Sequence, residues 1–285
     1  MPFEELDDED RGQPVSPEEI PGTRLDPHRA SAAGAYGAVW GSRDTNRHDR
    51  HVAAALAEIF GESEMRDVVQ QNRAMQGRAL ATLAGEGHDQ FLDIGPAHPA
   101  EPFLHEIVCR HRPNALFGYV DHEKVVVAHA RVFLASPRVR AWEGDLRDID
   151  TILNGPPFKS FLRANQPVVV VLGAILHFIL DDQMVADIIA KLRQRLAVGS
   201  VVIITHATPD DIPEDKLARA LEVYERNVVR LRLRTRRELA DLLSECAMWG
   251  PGIAPTYAWR AEIEETMPLL DGPHLLSVVA DLHAE

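Results

Sequence analysis

Between residues 90 and 205, short apolar segments alternate repeatedly with segments of helix length. Two of the apolar segments, residues 167–172 and 200–205, show no polar alternation, which is typical of strands buried on both faces. Regular alternation of strands and helices predicts a parallel, doubly wound α/β sheet with right-handed crossovers. This pattern restricts the fold more than any other feature of the chain.

Apolar residues at helical spacing predict two helices ahead of the sheet, at residues 51–60 and 65–83. Residues 23–50 are rich in Gly, Ala, Arg and Asp with little periodicity, and no element is predicted there. The other predicted strands are residues 90–94, 115–120, 138–142 and 275–282. The other predicted helices are residues 102–109, 123–134, 148–163 (broken near Gly155), 181–196, 214–226 and 235–246.

Small and acidic residues follow successive strands of the predicted sheet. In open α/β sheets, ligands bind beyond the carboxyl ends of the strands, where the strand order reverses. Gly95 ends the first strand, where the lack of a side chain lets the backbone approach a ligand. Asp121 ends the second strand and could accept hydrogen bonds from both hydroxyls of a ribose, and Asp145 could accept from an adenine amino group. Gly173 and His177 follow the fourth strand, so the set predicts a site for an adenosine cofactor.

Each of these residues also has a purely structural interpretation. Asp121 and Asp145 could cap the helices that follow them. His177 lies in an apolar segment and could be a core histidine as readily as a substrate contact. The occurrence of two acids, each at its own strand end, favours the cofactor site. The histidines and cysteines near residues 48–51 and 109–111 lack the spacing of a known metal site, so no metal is expected.

The net charge of −14 is unevenly distributed, because residues 1–22 carry eight acids and one base. We predict that residues 1–22 form an acidic disordered tail. The acidic surface argues against nucleic acid as a partner. Two cysteines do not make a disulfide framework, which favours a cytoplasmic location. The sequence shows no signal peptide and no apolar run long enough for a membrane span, so no membrane partner is expected.

Several motifs occur in a fixed order from about residue 25 to the C-terminus. They are Leu92-Asp93-Ile94-Gly95, Tyr119-Val120-Asp121-His122, Gly144-Asp145-Leu146-Arg147, Leu176-His177-Phe178 and Thr205-His206-Ala207-Thr208. Through them the chain resembles the class I S-adenosylmethionine-dependent methyltransferases, and in particular an actinobacterial group known as the DUF574 proteins.

The resemblance implies a Rossmann-like, mostly parallel sheet of seven strands, with the last strand antiparallel. It implies an N-terminal helical segment, residues 23–88, over the cleft of a methyltransferase domain that spans residues 89–285. The implied cofactor is S-adenosylmethionine, and the implied acceptor is a small molecule, with a role in secondary metabolism. Whether the protein forms a homodimer is left open.

The resemblance also assigns residues to the site. The cofactor-binding residues implied are Asn72, Arg73, Asp93, Gly95, Ala97, Asp121, His122, Asp145, Leu146 and Gly173. The catalytic residues expected are His177, as a proton acceptor if the methylated group must lose a proton, and Tyr36.

The cofactor loop departs from the family pattern at two positions. Ala97 stands where the family has a second glycine, and Pro96 before it has no N–H to donate. If position 97 requires a positive φ angle, alanine costs about 1–2 kcal/mol there. The N-terminal motif, residues 40–44, has also diverged.

These departures motivate a second hypothesis. The chain could be a diverged relative that binds the cofactor without methyl transfer, as a non-methylating biosynthetic enzyme or a binding partner. A nicotinamide-dependent dehydrogenase shares the strand layout but would need the Gly-x-Gly-x-x-Gly fingerprint, which the loop after Gly95 lacks.

Overall fold

A mixed β-sheet forms the centre of the protein. The structure is a computed structural model that describes residues 28–98, 101–133, 136–261 and 272–283, so the predicted tail at residues 1–22 lies outside the described residues. The parallel strands are β1 (Gln90–Ile94), β2 (Leu116–Asp121), β3 (Val139–Glu143), β4 (Val169–Gly173) and β5 (Val201–Ala207). These five strands match the predicted ones to within two residues at each end, and the alternation therefore predicted the parallel sheet correctly.

The remaining strands are β6 (Ala247–Met248), β7 (Ala254–Pro255) and β8 (Leu275–Asp281). The strand order is β3-β2-β1-β4-β5-β8-β6, which reverses between β1 and β4. The predicted antiparallel last strand is β8, which pairs with β5. The described residues contain eight strands and not seven, because the edge beyond β8 consists of two short pieces, β6 and β7, that both pair with β8.

Helices cover both faces of the sheet and its carboxyl edge. The α-helices in the described residues are α1 (Ala32–Trp40), α2 (Arg47–Phe60), α3 (Glu62–Gly85), α4 (Leu104–His111), α5 (Lys124–Phe133), α6 (Ile149–Asn154), α7 (Pro156–Phe161), α8 (Asp182–Arg195), α9 (Glu214–Asn227) and α10 (Arg236–Leu242). Two single 3₁₀ turns, Leu146–Asp148 and Leu176–Phe178, follow β3 and β4.

The prediction from sequence periodicity missed helix α1 and placed the start of helix α2 too late. Helix α1 went undetected because its buried face consists of alanines and glycines, which give no apolar–polar contrast with the exposed face. Helix α2 begins four residues earlier than predicted, because the Asn46 side chain accepts hydrogen bonds from two backbone N–H groups and Asp49 completes a capping box. The predicted helix at residues 235–246 ends at Leu242, where the chain turns toward β6.

The sheet is buried on both faces, as the unalternating strands predicted. Leu92 and Ile94 of β1 contribute to a core with α6, α7 and α8, while Phe91 contributes to a second core with α3 and α4. A third, separate apolar cluster joins α1, α2 and α9, and we call these three helices the helical cover. No described helix is both long enough and apolar enough to cross a lipid bilayer.

Helices α1 and α2 of the helical cover come from the predicted N-terminal segment, and α9 comes from the chain after β5. Helix α9 has no fully buried residue, and it packs against α2. The segment boundaries predicted at residues 22 and 88 stay predictions.

Candidate active site

A cavity of about 1330 Å³ lies between the helical cover and the carboxyl ends of the parallel strands. Single-ligand pockets usually measure about 300–1,000 Å³, so this cavity exceeds the space that one ligand needs. All of the residues assigned from the sequence line it: Tyr36, Asn72, Arg73, Asp93, Gly95, Ala97, Asp121, His122, Asp145, Leu146, Gly173 and His177. The fold therefore brings the whole predicted set to one place, although their individual roles stay predictions.

Two glycines leave room for a ligand at the strand ends. Gly95 has a φ angle of 77°, and a Cβ atom there would lie 2.1 Å from the Ile175 side chain. A Cβ atom on Gly173 would lie 2.4 Å from the amide nitrogen of Gln76. A side chain at either position would displace Ile175 or Gln76, and at Gly95 the positive φ angle also favours glycine.

Ala97 has a φ angle of 59°, in the left-handed region that disfavours a Cβ atom. The Ala97 backbone therefore adopts a conformation that glycine would adopt without this penalty, at a cost of about 1–2 kcal/mol.

We expect Ala97→Gly to stabilise the protein by about 0.5–1 kcal/mol, because the relief of strain exceeds the extra flexibility of glycine in the unfolded chain. The midpoint of urea denaturation measures this change. Ala54→Gly, in the middle of α2, is the control and should destabilise the protein by about 1 kcal/mol. Loss of stability in both variants would contradict the expectation.

The acids after β2 and β3 have different surroundings. Asp121 is buried at the end of β2, and its Oδ1 accepts a hydrogen bond from the Glu123 backbone N–H at 2.8 Å. Asp145 caps the 3₁₀ turn after β3, and both of its oxygens accept hydrogen bonds from the Arg147 guanidinium, the shortest at 2.6 Å. The structural interpretation of Asp145 as a cap is therefore correct. Asp121 also lies 3.4 Å from His122 Nδ1, but both of its contacts within the described residues are made by Oδ1 alone.

The pKa of Asp145 reflects this engagement with Arg147. Burial alone would raise it, but the hydrogen bonds from the Arg147 side chain and backbone outweigh burial and hold the pKa below its ordinary value.

Asp93 lies in the interior of β1 and is almost completely buried. Burial raises the pKa of Asp93 to about 7, while the positive charge of Arg73 lowers it and the negative charge of Asp121 raises it. Arg73 donates a hydrogen bond to the Pro102 carbonyl at 3.0 Å and lies over the Trp40 ring. A buried acid near a cation can hold the ammonium and carboxylate groups of an amino-acid moiety, which S-adenosylmethionine carries.

A chain of hydrogen-bonded polar side chains connects α1 of the helical cover to α3. Asn72 donates a hydrogen bond to the Tyr36 hydroxyl at 2.9 Å, and Gln76 donates to Asn72 at 3.2 Å. Burial raises the pKa of Tyr36, so its hydroxyl stays protonated at neutral pH. The sequence analysis missed Gln76, although its position four residues after Asn72 places both on one face of α3.

His177 lies in the 3₁₀ turn after β4 and is buried. Its Nδ1 accepts a hydrogen bond from the Ala207 N–H at 3.4 Å. Burial and the neighbouring His206 and Arg234 hold the pKa of His177 well below its usual range, so the ring is neutral. In this tautomer Nε2 carries the proton and can donate a hydrogen bond; accepting a proton would require the other tautomer.

The turn that carries His177 is held by a buried arginine that the sequence analysis missed. Arg234 has no exposed surface and donates to the carbonyls of Leu176 and Ile179 at 3.0 and 2.9 Å. It also donates to His206 Nε2 at 3.2 Å and forms an ion pair with Asp182 at 2.8 Å. Arg234 is one of several arginines between residues 230 and 237, and nothing in that stretch of sequence separates it from a surface residue.

The part of the cavity under the helical cover is apolar. Its walls include Leu56, Phe60, Val68, Val69, Leu217 and Leu221. Within the described ranges, no group of three or more His, Cys, Asp or Glu side chains could hold a metal ion. The cavity therefore has a polar end at β1–β3, which suits a nucleoside with an amino-acid moiety, and an apolar end that suits a second ligand.

Comparison with known proteins gives a consistent result. A family model described as S-adenosyl methyltransferase matches residues 18–280. No curated protein shows significant sequence similarity to the chain. A DUF574 family protein of known structure from Streptomyces avermitilis is 29% identical, with a TM-score of 0.84 over 90% of this chain and 99% of that one. A putative methyltransferase of known structure from Thermobifida fusca is 24% identical, with a TM-score of 0.83 over 94% of this chain and 100% of that one. An S-adenosylmethionine-dependent methyltransferase from Anabaena variabilis is 12% identical, with a TM-score of 0.51 over 82% of this chain and 95% of that one. The last two similarities show the fold alone.

Proposed function

Because the chain belongs to the S-adenosyl methyltransferase family, we propose that it transfers a methyl group from S-adenosylmethionine to a small organic acceptor bound beneath the helical cover. The observation that carries this proposal is the continuous cavity that joins the strand ends of β1 and β2 to the apolar wall. A role in secondary metabolism and a cytoplasmic location remain proposals from the sequence, as does the absence of nucleic-acid partners.

The polar end of the cavity fits the cofactor. The carboxylate of Asp121 would bind the ribose hydroxyls, and Asp93 and Arg73 would bind the ammonium and carboxylate groups. Gly95 and Gly173 line the cavity without a side chain, so a ligand could approach the backbone at these strand ends. When bound, S-adenosylmethionine supplies a methyl group on a positively charged sulfur, which a nucleophile can displace.

The helical cover has two tasks in this mechanism. It excludes water from the reacting groups, and its apolar side chains align the acceptor with the methyl group. The hydrogen bond from Asn72 to Tyr36 fixes α1 against α3, so the wall of the acceptor region is connected to the cofactor end.

We expect the affinity for S-adenosylhomocysteine to fall by up to tenfold per pH unit below about pH 7. The raised pKa means that Asp93 is protonated below this pH and no longer attracts the ligand ammonium group. Isothermal titration calorimetry between about pH 5.5 and 7.5 measures the effect, below the pKa of the ligand amino group at about 8. 5′-Methylthioadenosine, which lacks the amino-acid moiety, is the control ligand, and the same pH dependence for both ligands would contradict the assignment of Asp93.

The proposed function itself is tested with the wild-type protein. Calorimetry with S-adenosylhomocysteine should show binding, and a panel of small apolar acceptors should show transfer of a labelled methyl group. No heat at millimolar ligand would contradict the proposal.

The strained Ala97 favours a second candidate function, a relative that binds the cofactor without methyl transfer. Binding of S-adenosylmethionine without turnover across the panel would support this second candidate.

A further inference from the structure

We infer that His274 is the proton acceptor of the methyl transfer, and that the acceptor molecule carries a hydroxyl group on an apolar skeleton. The inference rests on the proposed function and deepens it. His274 was not among the residues expected from the sequence, and it immediately precedes β8. Its side chain is buried against the cavity that also contains the predicted site.

The sheet brings His274 close to His177. Leu275, the next residue in the chain, pairs with Ala207 in the antiparallel register of β5 and β8. The N–H of the same Ala207 donates to Nδ1 of His177. His274 and His177 are therefore both adjacent to the Ala207–Leu275 pair at the carboxyl end of β5, and both line the cavity.

The hydrogen-bond partners of the two histidines imply opposite tautomers. Nδ1 of His274 lies 3.3 Å from the Gly272 carbonyl oxygen, which can only accept, so this nitrogen carries the proton. In a neutral imidazole, Nε2 of His274 then has a free lone pair. His177 has the reverse arrangement, because its Nδ1 accepts from a backbone N–H.

Both Nε2 atoms are accessible from the cavity. Within the described residues, neither atom has a hydrogen-bond partner, and neither is among the buried nitrogen and oxygen atoms that are sealed without one. Since both side chains line the cavity, these atoms are open to a bound ligand.

The other titratable groups near the apolar end are unsuited to accept a proton. Burial raises the pKa of Tyr224 to about 12, and the Tyr36 pKa is also raised, so both hydroxyls stay protonated. His206 donates from Nδ1 to the Ala207 carbonyl and accepts at Nε2 from Arg234. Both ring nitrogens of His206 are therefore already hydrogen-bonded. Among the imidazoles of His177, His206 and His274, that of His274 is the one whose hydrogen bond leaves Nε2 as an acceptor without a partner in the described residues.

The tautomers of His274 and His177 indicate which functional group the methyl acceptor carries. A hydroxyl group has one proton to give and lone pairs to receive a hydrogen bond, which matches His274 and His177 respectively. As the bond from oxygen to the methyl carbon forms, the bond from that carbon to sulfur breaks with its electron pair left on sulfur. The hydroxyl proton moves to Nε2 of His274, and solvent removes it after the product leaves. The apolar walls at Leu56, Phe60 and Leu221 suit an aromatic or aliphatic skeleton.

The first test uses the tautomers themselves and needs no substrate. Long-range proton–nitrogen-15 NMR spectra of the protein bound to S-adenosylhomocysteine distinguish the two nitrogens of each ring, and His274→Asn and His177→Gln assign the signals. We expect a protonated Nδ1 on His274 and a protonated Nε2 on His177. Protonation of His274 at Nε2 would overturn the inference, whereas failure of the ligand to bind would instead overturn the proposed function.

The second test compares two variants on matched acceptors, 2-naphthol and 2-naphthalenethiol. His274→Asn keeps an N–H at the position of Nδ1 but removes Nε2, so kcat with the naphthol should fall by about 10²–10⁴-fold while the Kd for S-adenosylhomocysteine is unchanged. Because 2-naphthalenethiol ionises more readily than 2-naphthol, kcat with the thiol should fall much less in His274→Asn. His177→Gln keeps a donor and should lose no more than about tenfold. An equal loss of kcat in both variants, or no loss of kcat in His274→Asn, would overturn the inference. If neither acceptor is methylated, the NMR result decides whether the inference holds.

Discussion

Replacing Arg234 with methionine is expected to lower the free energy of unfolding by about 3–5 kcal/mol. The buried guanidinium satisfies two backbone carbonyls and one imidazole nitrogen, which would otherwise be buried without donors. Each such group costs about 1–3 kcal/mol when it is left unpaired. Urea denaturation measures the loss, and the melting temperature should fall by roughly 10 °C.

Arg232→Met is the matched control for this prediction. Arg232 is two residues away and forms ion pairs with Asp182 and Glu238, but its side chain is 37% exposed. Exposed ion pairs contribute little, so its loss should cost less than about 1 kcal/mol. Equal destabilisation by the two substitutions would mean that burial of Arg234 is not what makes it important.

Asp121→Asn is expected to weaken the binding of S-adenosylhomocysteine by about 100-fold. The variant keeps an oxygen for the Glu123 N–H but loses the charge and the second acceptor that would bind the ribose hydroxyls. Isothermal titration calorimetry at neutral pH measures the dissociation constant. The circular dichroism spectrum of the variant should be unchanged, which separates loss of binding from loss of fold.

Asp145→Asn provides the comparison, because the sequence gives both acids the same position after a strand. In the structure the Arg147 guanidinium occupies both oxygens of Asp145, so its carboxylate is less available to a ligand. We expect this substitution to weaken binding by less than about fivefold, since both oxygens of Asp145 already accept hydrogen bonds from Arg147. A larger loss for Asp145→Asn than for Asp121→Asn would contradict the assignment of the ribose to Asp121.

The residues at the strand ends were predictable because the position of a strand depends on the apolar pattern of a few neighbouring residues. An unalternating apolar run can be satisfied only by a strand covered on both faces, and the carboxyl ends of parallel strands share one edge. Gly95, Asp121 and Gly173 follow from that rule alone. The helical cover was harder to predict, because α1 is built from small residues whose burial depends on partners distant in the chain.

The chain's sequence by itself determined the sheet, the family and the edge of the sheet where the cavity lies, because apolar periodicity and strand-end residues act over a few positions. Only the tertiary structure decided which acid has just one oxygen occupied by protein partners, which arginine is buried and which nitrogen of each histidine accepts a hydrogen bond. Those properties depend on Arg147, Asp182 and Gly272, whose contacts are set by three-dimensional packing. Hydrogen bonding and burial fix the charge and tautomer of a side chain, and the sequence alone does not specify either.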